Sequence, residues 1–127
     1  IRGLHYQWDS PMGKLVRVAK GVIIDYFVDI RKDSPTYGQY DSILLSDENR
    51  VAIWVPPGLA HGFEVLADDA IVLYKCTAYY NKDGESGINP FDKEINIPWQ
   101  TPKEKMIVSD RDLKSQTFAE YSMDPKF

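Results

Sequence analysis

Hydrophobic and polar positions along this chain change over in short runs, and turn residues punctuate them throughout. Residues 15–19 form a partly alternating apolar run closed by Lys20-Gly21. Residues 22–30 follow at hairpin distance and are rich in β-branched and aromatic side chains, the composition that suits a pleated surface. The stretch 34–38 (Ser-Pro-Thr-Tyr-Gly) reads as a turn and 41–46 as another strand. Residues 51–55 run into Pro56-Pro57-Gly58, a stop that neither a helix nor a central strand continues through. Two further strands are predicted over 63–66 and 70–80, with Asp68-Asp69 as the turn between them. A polar loop then covers 81–87, beyond which apolar density falls and only 110–121 has the pattern of a short helix. At the other end, alternation over 2–7 puts Gly3, His5 and Gln7 on one face and Arg2, Leu4 and Tyr6 on the other. Many short strands with no long 3.6-residue period predict an antiparallel sandwich or barrel, an all-β domain ending in a short helical segment.

Length makes this one domain: 127 residues bury a single core. A formal charge of −4 and the lack of a basic run with interleaved aromatics argue against nucleic acid as a partner. No apolar stretch approaches the roughly 20 residues that span a bilayer, so no membrane partner is expected. The lone Cys76 excludes an internal disulfide framework, fits a cytoplasmic location, and reads as a small buried hydrophobe inside an apolar run.

Candidate chemistry is sparse, which helps. There are two histidines, His5 and His61. A face of Gly, His and Gln makes a poor core layer and a plausible pocket wall, and His61 reads as a loop-to-strand junction after the Pro-Pro-Gly turn. Two His without a third His or a suitably spaced Cys are too few for a convincing metal site, so no metal or other cofactor is expected. Neither a Gly-x-Ser-x-Gly elbow nor a glycine-rich phosphate loop occurs. What remains is general acid–base chemistry, with a His base oriented by a carboxylate, a Tyr acid, and a Lys or Arg opposite developing negative charge.

Several ordered blocks then become specific. These are Arg-Gly-Leu-His-Tyr-Gln at 2–7, Gly-Lys-Leu-Val-Arg-Val at 13–18, and Val-Asp-Ile-Arg-Lys-Asp-Ser-Pro-Thr-Tyr-Gly at 28–38. Trp-Val-Pro-Pro-Gly-Leu-Ala-His-Gly-Phe at 54–63, Tyr-Lys-Cys-Thr-Ala-Tyr-Tyr at 74–80 and Val-Ser-Asp-Arg-Asp at 108–112 continue the series. In this order they resemble the dTDP-4-dehydrorhamnose 3,5-epimerase family over nearly the whole chain. The resemblance implies a cupin-type jelly-roll barrel or sandwich without a metal, assembled as a homodimer. It implies a reaction that inverts C3 and C5 of dTDP-4-dehydro-6-deoxy-D-glucose, giving dTDP-4-dehydro-L-rhamnose for cell-surface polysaccharide.

By the same resemblance His5 is the base, Asp112 the carboxylate that orients it, Tyr74 the acid on the opposite face, and Lys14 the cation beside the sugar ketone. Arg2 and His61 match residues that contact the substrate and its diphosphate. Glu85 matches a nucleotide-binding glutamate, Tyr80 is placed to stack near the base, and Arg111 stands where the family usually has a lysine. The family also carries an N-terminal segment ahead of Arg2, with an Arg, a Phe and a Glu directed at the partner subunit's nucleotide. Residues 1–127 are accordingly expected to form a single cupin-like domain without that segment. Two alternatives stay open: an epimerase acting at one centre only, since the same His, Lys and Tyr serve both reactions, and a non-catalytic sugar-nucleotide-binding cupin.

Overall fold

The computed structural model describes all residues, 1–127. Eight strands run in the order β1 (Arg2–Gln7), β2 (Lys14–Lys20), β3 (Val22–Asp29), β4 (Tyr40–Ser46), β5 (Ala52–Val55), β6 (Leu59–Val65), β7 (Ile71–Cys76) and β8 (Glu85–Gly87). Two short helices follow, α1 (Asp110–Leu113) and α2 (Phe118–Met123). The strands form two antiparallel sheets, one ordered β4-β3-β6-β1-β8 and one ordered β5-β2-β7.

Both faces of the five-stranded sheet are covered, and the residues of β3 show how. Ile23 and Phe27 pack with Val16, Val18, Leu45 and Val55 in the layer between the sheets. Tyr26, Val28 and Ile30 point the other way, onto Ile88, Ile95, Ile97, Phe118 and Tyr121 from the C-terminal third of the chain. A strand buried on both sides reads as a near-continuous apolar run rather than a clean alternation, which is the pattern of 22–30. After β3 the chain turns around Asp29. Its carboxylate accepts from the Arg31 backbone, from Arg31 Nε at 2.9 Å and Nη2 at 2.8 Å, and from the hydroxyls of Ser34 and Thr36. Burial alone would raise this carboxyl, but these donors outweigh it and hold its pKa well below the usual range.

Four expectations need correction. The loop over 81–87 contains a 3-10 turn (Lys82–Gly84) and then β8, which pairs with the outer edge of β1 through His5↔Gly87 and Gln7↔Glu85. Polar composition hid this strand; the unpaired backbone edge of β1 recruits it. The apolar residues after 87 are few but well used, since Ile88, Ile95 and Ile97 all enter the core. The predicted helix over 110–121 is two helices, because the Thr117 hydroxyl and Glu120 carboxylate form a capping box that starts α2 afresh. Finally, β7 stops at Cys76, and that cysteine is exposed because β7 is an edge strand of the smaller sheet.

The pairing of β1 with β6 is unusually close at one point. A Cβ on Gly3, whose φ is +120°, would lie 2.6 Å from Gly62 Cα; one on Gly62 would lie 2.5 Å from the Arg2 carbonyl. Backbone cannot yield as a side-chain tip can. The substitution Gly62→Ala is therefore expected to destabilise the fold by about 1–3 kcal/mol, the usual cost of overpacking. Urea unfolding with an unchanged m-value would show it; an unchanged midpoint would contradict this reading of the contact.

Candidate active site

The close β1–β6 contact has a consequence for function. Arg2 pairs with Phe63 and His5 with His61, so three steps on β1 oppose two on β6. This bulge changes the parity of the strand. Leu4 and Tyr6 enter the core and His5 and Gln7 face away from it, as alternation predicts. Arg2 does not follow Leu4 and Tyr6; it joins His5 at one cavity. The cavity is narrow, about 30 Å³, and is lined by Arg2, His5, Lys14, His61, Gly62, Phe63 and Tyr74.

Two sheets build it. His5 and His61 stand directly opposite one another across β1 and β6 of the larger sheet. Lys14 and Tyr74 come from β2 and β7 of the smaller one. His61 is the third residue of β6 rather than part of a loop junction. Gly58, at φ +88°, completes the Pro-Pro-Gly turn, and the strand resumes at once with Leu59 opposite Asp29.

Each histidine is held by a buried carboxylate. His5 Nε2 lies 2.7 Å from Asp112 Oδ1, and Asp112 Oδ2 accepts from the Gly3 backbone N–H at 3.1 Å. Asp112 is not the cap of α1; Ser109 is, and its hydroxyl oxygen accepts from the Asp112 N–H. The short helix thus has its own cap and leaves the Asp112 carboxylate free for the imidazole. Burial is the leading influence on both partners. It lowers the His5 pKa below 6.5, against the opposing pull of Asp112. It would raise Asp112, but the hydrogen bonds from His5 and from the Gly3 N–H, with the Ser109 hydroxyl adding a smaller effect, hold that carboxyl below its ordinary value. Neutral imidazole beside an ionised carboxylate is therefore the resting state near pH 7. With Asp112 ionised, Nε2 carries the ring proton and Nδ1 keeps the free lone pair.

His61 has an equivalent that sequence reading missed. Its Nε2 lies 2.8 Å from Oδ1 of Asp25, which is fully buried in β3, while Oδ2 of Asp25 has no partner in the protein. The signal was an acid within the apolar run 22–30, because a buried carboxylate requires a partner. Lys14 makes no hydrogen bond or ion pair with another side chain in the structure. Desolvation lowers its pKa, with Cys76 across the strand pair and Glu85 pulling the other way.

Glu85, Arg111 and Tyr80 lie apart from this cavity, on the rim beside β8. Arg111 Nη2 donates to Glu85 Oε2 at 2.6 Å, and the same hydrogen bond raises the guanidinium pKa, with a smaller contribution from Tyr80. Tyr80 itself is 62% exposed and lies beyond the end of β7. Of the nine residues singled out in the sequence, the structure brings Arg2, His5, Lys14, His61 and Tyr74 to one cavity and Asp112 directly behind it. The remaining three form a neighbouring group. No three His, Cys, Asp or Glu side chains converge as a set of metal ligands.

The chain is similar to known proteins along most of its length. The family profile described as dTDP-4-dehydrorhamnose 3,5-epimerase matches residues 1–120. A dTDP-4-dehydrorhamnose 3,5-epimerase of Methanothermobacter thermautotrophicus is 48% identical over 113 residues, covering 88% of this chain and 61% of that protein. The Legionella pneumophila dTDP-6-deoxy-D-glucose-3,5-epimerase, solved in complex with dTDP-4-keto-L-rhamnose, superposes with a TM-score of 0.89 at 42% identity, over 93% of this chain and 62% of that one. A 3'-monoepimerase from Streptomyces bikiniensis, solved with dTDP-quinovose, gives a TM-score of 0.87 at 31% identity, over 96% and 62%. The chain spans less than two thirds of the length of these relatives. With the cupin-type sandwich, the ordered blocks and the profile match in agreement, the chain belongs to the dTDP-4-dehydrorhamnose 3,5-epimerase family.

Proposed function

We propose that this chain carries the catalytic centre of a sugar-nucleotide epimerase that converts dTDP-4-dehydro-6-deoxy-D-glucose to dTDP-4-dehydro-L-rhamnose. One observation carries the reading: His5 and Tyr74 meet at the same cavity from opposing sheets. Inversion at carbon needs a base on one face and an acid on the other. A single wall bearing both would return the proton to the face it left.

The chemistry follows from the groups in place. Nδ1 of neutral His5 removes the proton from the carbon beside the C4 ketone, and the electron pair moves to O4 as an enolate. Asp112 stabilises the imidazolium that results. The Lys14 ammonium, poorly solvated and unpaired, offsets the charge on O4. The Tyr74 hydroxyl then delivers a proton to the opposite face, the carbonyl re-forms, and His5 and Tyr74 exchange one proton each with solvent to reset. Repetition at the second carbon completes the double inversion. The cavity is open at the side where Tyr74 is 49% exposed, so the reacting edge of the sugar faces His5 and the remainder of the ligand lies toward that mouth. Arg2 and His61 line the cavity as cationic or hydrogen-bonding groups suited to the substrate and its diphosphate. The rim group Tyr80, Glu85 and Arg111 serves the nucleotide.

The reading brings with it a homodimer, for which Leu15, Trp54 and Leu73 on the smaller sheet supply exposed apolar surface. It also brings a cytoplasmic setting, supported by the nucleoside-diphosphate substrate; no helix is long and apolar enough to cross a membrane. A second reading, epimerisation at a single centre, is favoured by the likeness to the 3'-monoepimerase.

Proton NMR in deuterated water, with dTDP-4-dehydro-6-deoxyglucose as substrate, tests these readings. Deuterium at both C3 and C5 is expected. Uptake at one carbon establishes the single-centre reaction, and a bound ligand with no exchange would overturn catalysis in favour of a binding cupin. In His5→Ala the exchange is expected to vanish. In Tyr74→Phe the base still works, so deuterium wash-in without net inversion is expected.

The pH dependence has a defined sign. His5 must be neutral, and burial lowers its pKa, so the acidic limb of kcat/KM is expected below pH 6.5. Asp112 opposes that shift, so Asp112→Asn is expected to move the limb further toward acid. The same change should reduce kcat by roughly 100-fold or more through loss of the oriented tautomer. A limb that moves toward neutrality in Asp112→Asn would refute the dyad's role.

A further inference from the structure

Gln7 lies two residues along β1 from His5, is 5% exposed, and uses nearly all its hydrogen-bonding capacity on one task. Nε2 donates to the Ser10 carbonyl at 2.7 Å and to the Tyr79 carbonyl at 3.0 Å, while Oε1 accepts from the Asn81 N–H at 2.9 Å. The amide thus grips the backbone on either side of Tyr80 and ties it to the β1–β2 turn. Asn81 strengthens the tie: Nδ2 donates to Asp9 Oδ2 at 2.9 Å, and Oδ1 caps the 3-10 turn that leads into β8. The aromatic rings so held are not packed into the fold. Tyr79 is 96% exposed and Tyr80 62% exposed, and Tyr80 stands close enough to Arg111 to contribute to its raised pKa.

A buried primary amide is suited to this position. Two carbonyls and one N–H must be met together, and among uncharged side chains only Asn and Gln offer two donors and an acceptor. The shorter Asn would not span the same gap. An exposed aromatic side chain on a link between strands costs solvent exposure of its ring, yet here the backbone on either side of it is fixed from a neighbouring strand by two hydrogen bonds, and the third anchors the same amide to the β1–β2 turn.

We propose that Gln7 is a positioning residue that fixes the Tyr79–Asn81 backbone and so presents the Tyr80 ring, beside Arg111 and Glu85, to the nucleoside part of the ligand. This rests on the function proposed above. Because β1 carries both His5 and Gln7, one strand sets the base at the sugar and the aromatic surface at the other end of the ligand. Gln7 acts through Tyr80 and touches no reacting atom.

The test is a double-mutant cycle read by calorimetry with dTDP and by steady-state kinetics. Gln7→Met keeps length and volume while removing all three hydrogen bonds. Its Kd for dTDP and its KM are expected to rise roughly tenfold with kcat changed less than about twofold, the signature of lost binding that is equal in ground and transition states. In a Tyr80→Ala background the same change is expected to add nothing, because the two residues act as one unit. Gln7→Glu keeps the acceptor for the Asn81 N–H but sets a carboxylate against two carbonyls. It is expected to lose at least as much affinity, and it carries the comparison should Gln7→Met fail to fold. Additive effects, or a fall in kcat at constant KM, would overturn the proposal while leaving the epimerase reading intact. Failure of the unaltered chain to bind dTDP would overturn both.

Discussion

Everything at the site depends on how tightly β1 is laid against β6. Gly3 and Gly62 face each other there with no room for a Cβ on either, and the bulge at that contact re-aims Arg2 toward the cavity. The same register sets His5 directly opposite His61. On its other edge β1 is completed by β8, so the strand bearing His5 is interior to its sheet and hydrogen-bonded on both sides. A strand held in this way gives its side chains little freedom to drift, which acid–base chemistry requires.

Desolvation is the second governing effect. His5, Asp112, Asp25 and His61 are all buried, and each carboxylate is placed to accept from an imidazole rather than from water. For His5 the outcome is a neutral ring whose partner is charged, the state a base needs. Lys14 on the facing sheet is given no carboxylate partner, so its charge remains available to an incoming anion. The asymmetry between the walls, imidazole–carboxylate pairs on one and an unpaired cation with a phenol on the other, is what gives the cavity a direction.

The C-terminal third of the chain links core and site physically. Ile88, Ile95, Ile97, Phe118 and Tyr121 cover the outer face of the larger sheet, and that packing delivers α1 to the end of β1. Asp112 therefore reaches His5 across a separation of 107 residues. The side chain of Glu64, fully buried on β6, accepts from the backbone N–H groups of Gln100 and Thr101 and fastens the same segment to the sheet. The geometry of the candidate site is in this sense a by-product of how the outer face of the larger sheet is covered.

Local patterning determined the strands: the alternation of 15–19, the doubly buried run of 22–30, the Pro-Pro-Gly stop and the all-β class follow from side-chain period and turn chemistry, which act between near neighbours. Nine candidate site residues could also be named from the sequence, but chiefly through ordered motifs, since the residue types alone do not distinguish their roles. Tertiary structure decided the rest. β8 exists because β1 needed a partner, the C-terminal helix divides because Thr117 and Glu120 close a box, and Arg2 turns inward because of a bulge. Cys76 is exposed because its strand is an edge. The Asp25–His61 pair and the Gln7 clasp join residues 36 and 72–74 positions apart. No local period encodes such contacts, since burial and hydrogen-bond satisfaction are settled only when distant segments compete for the same space.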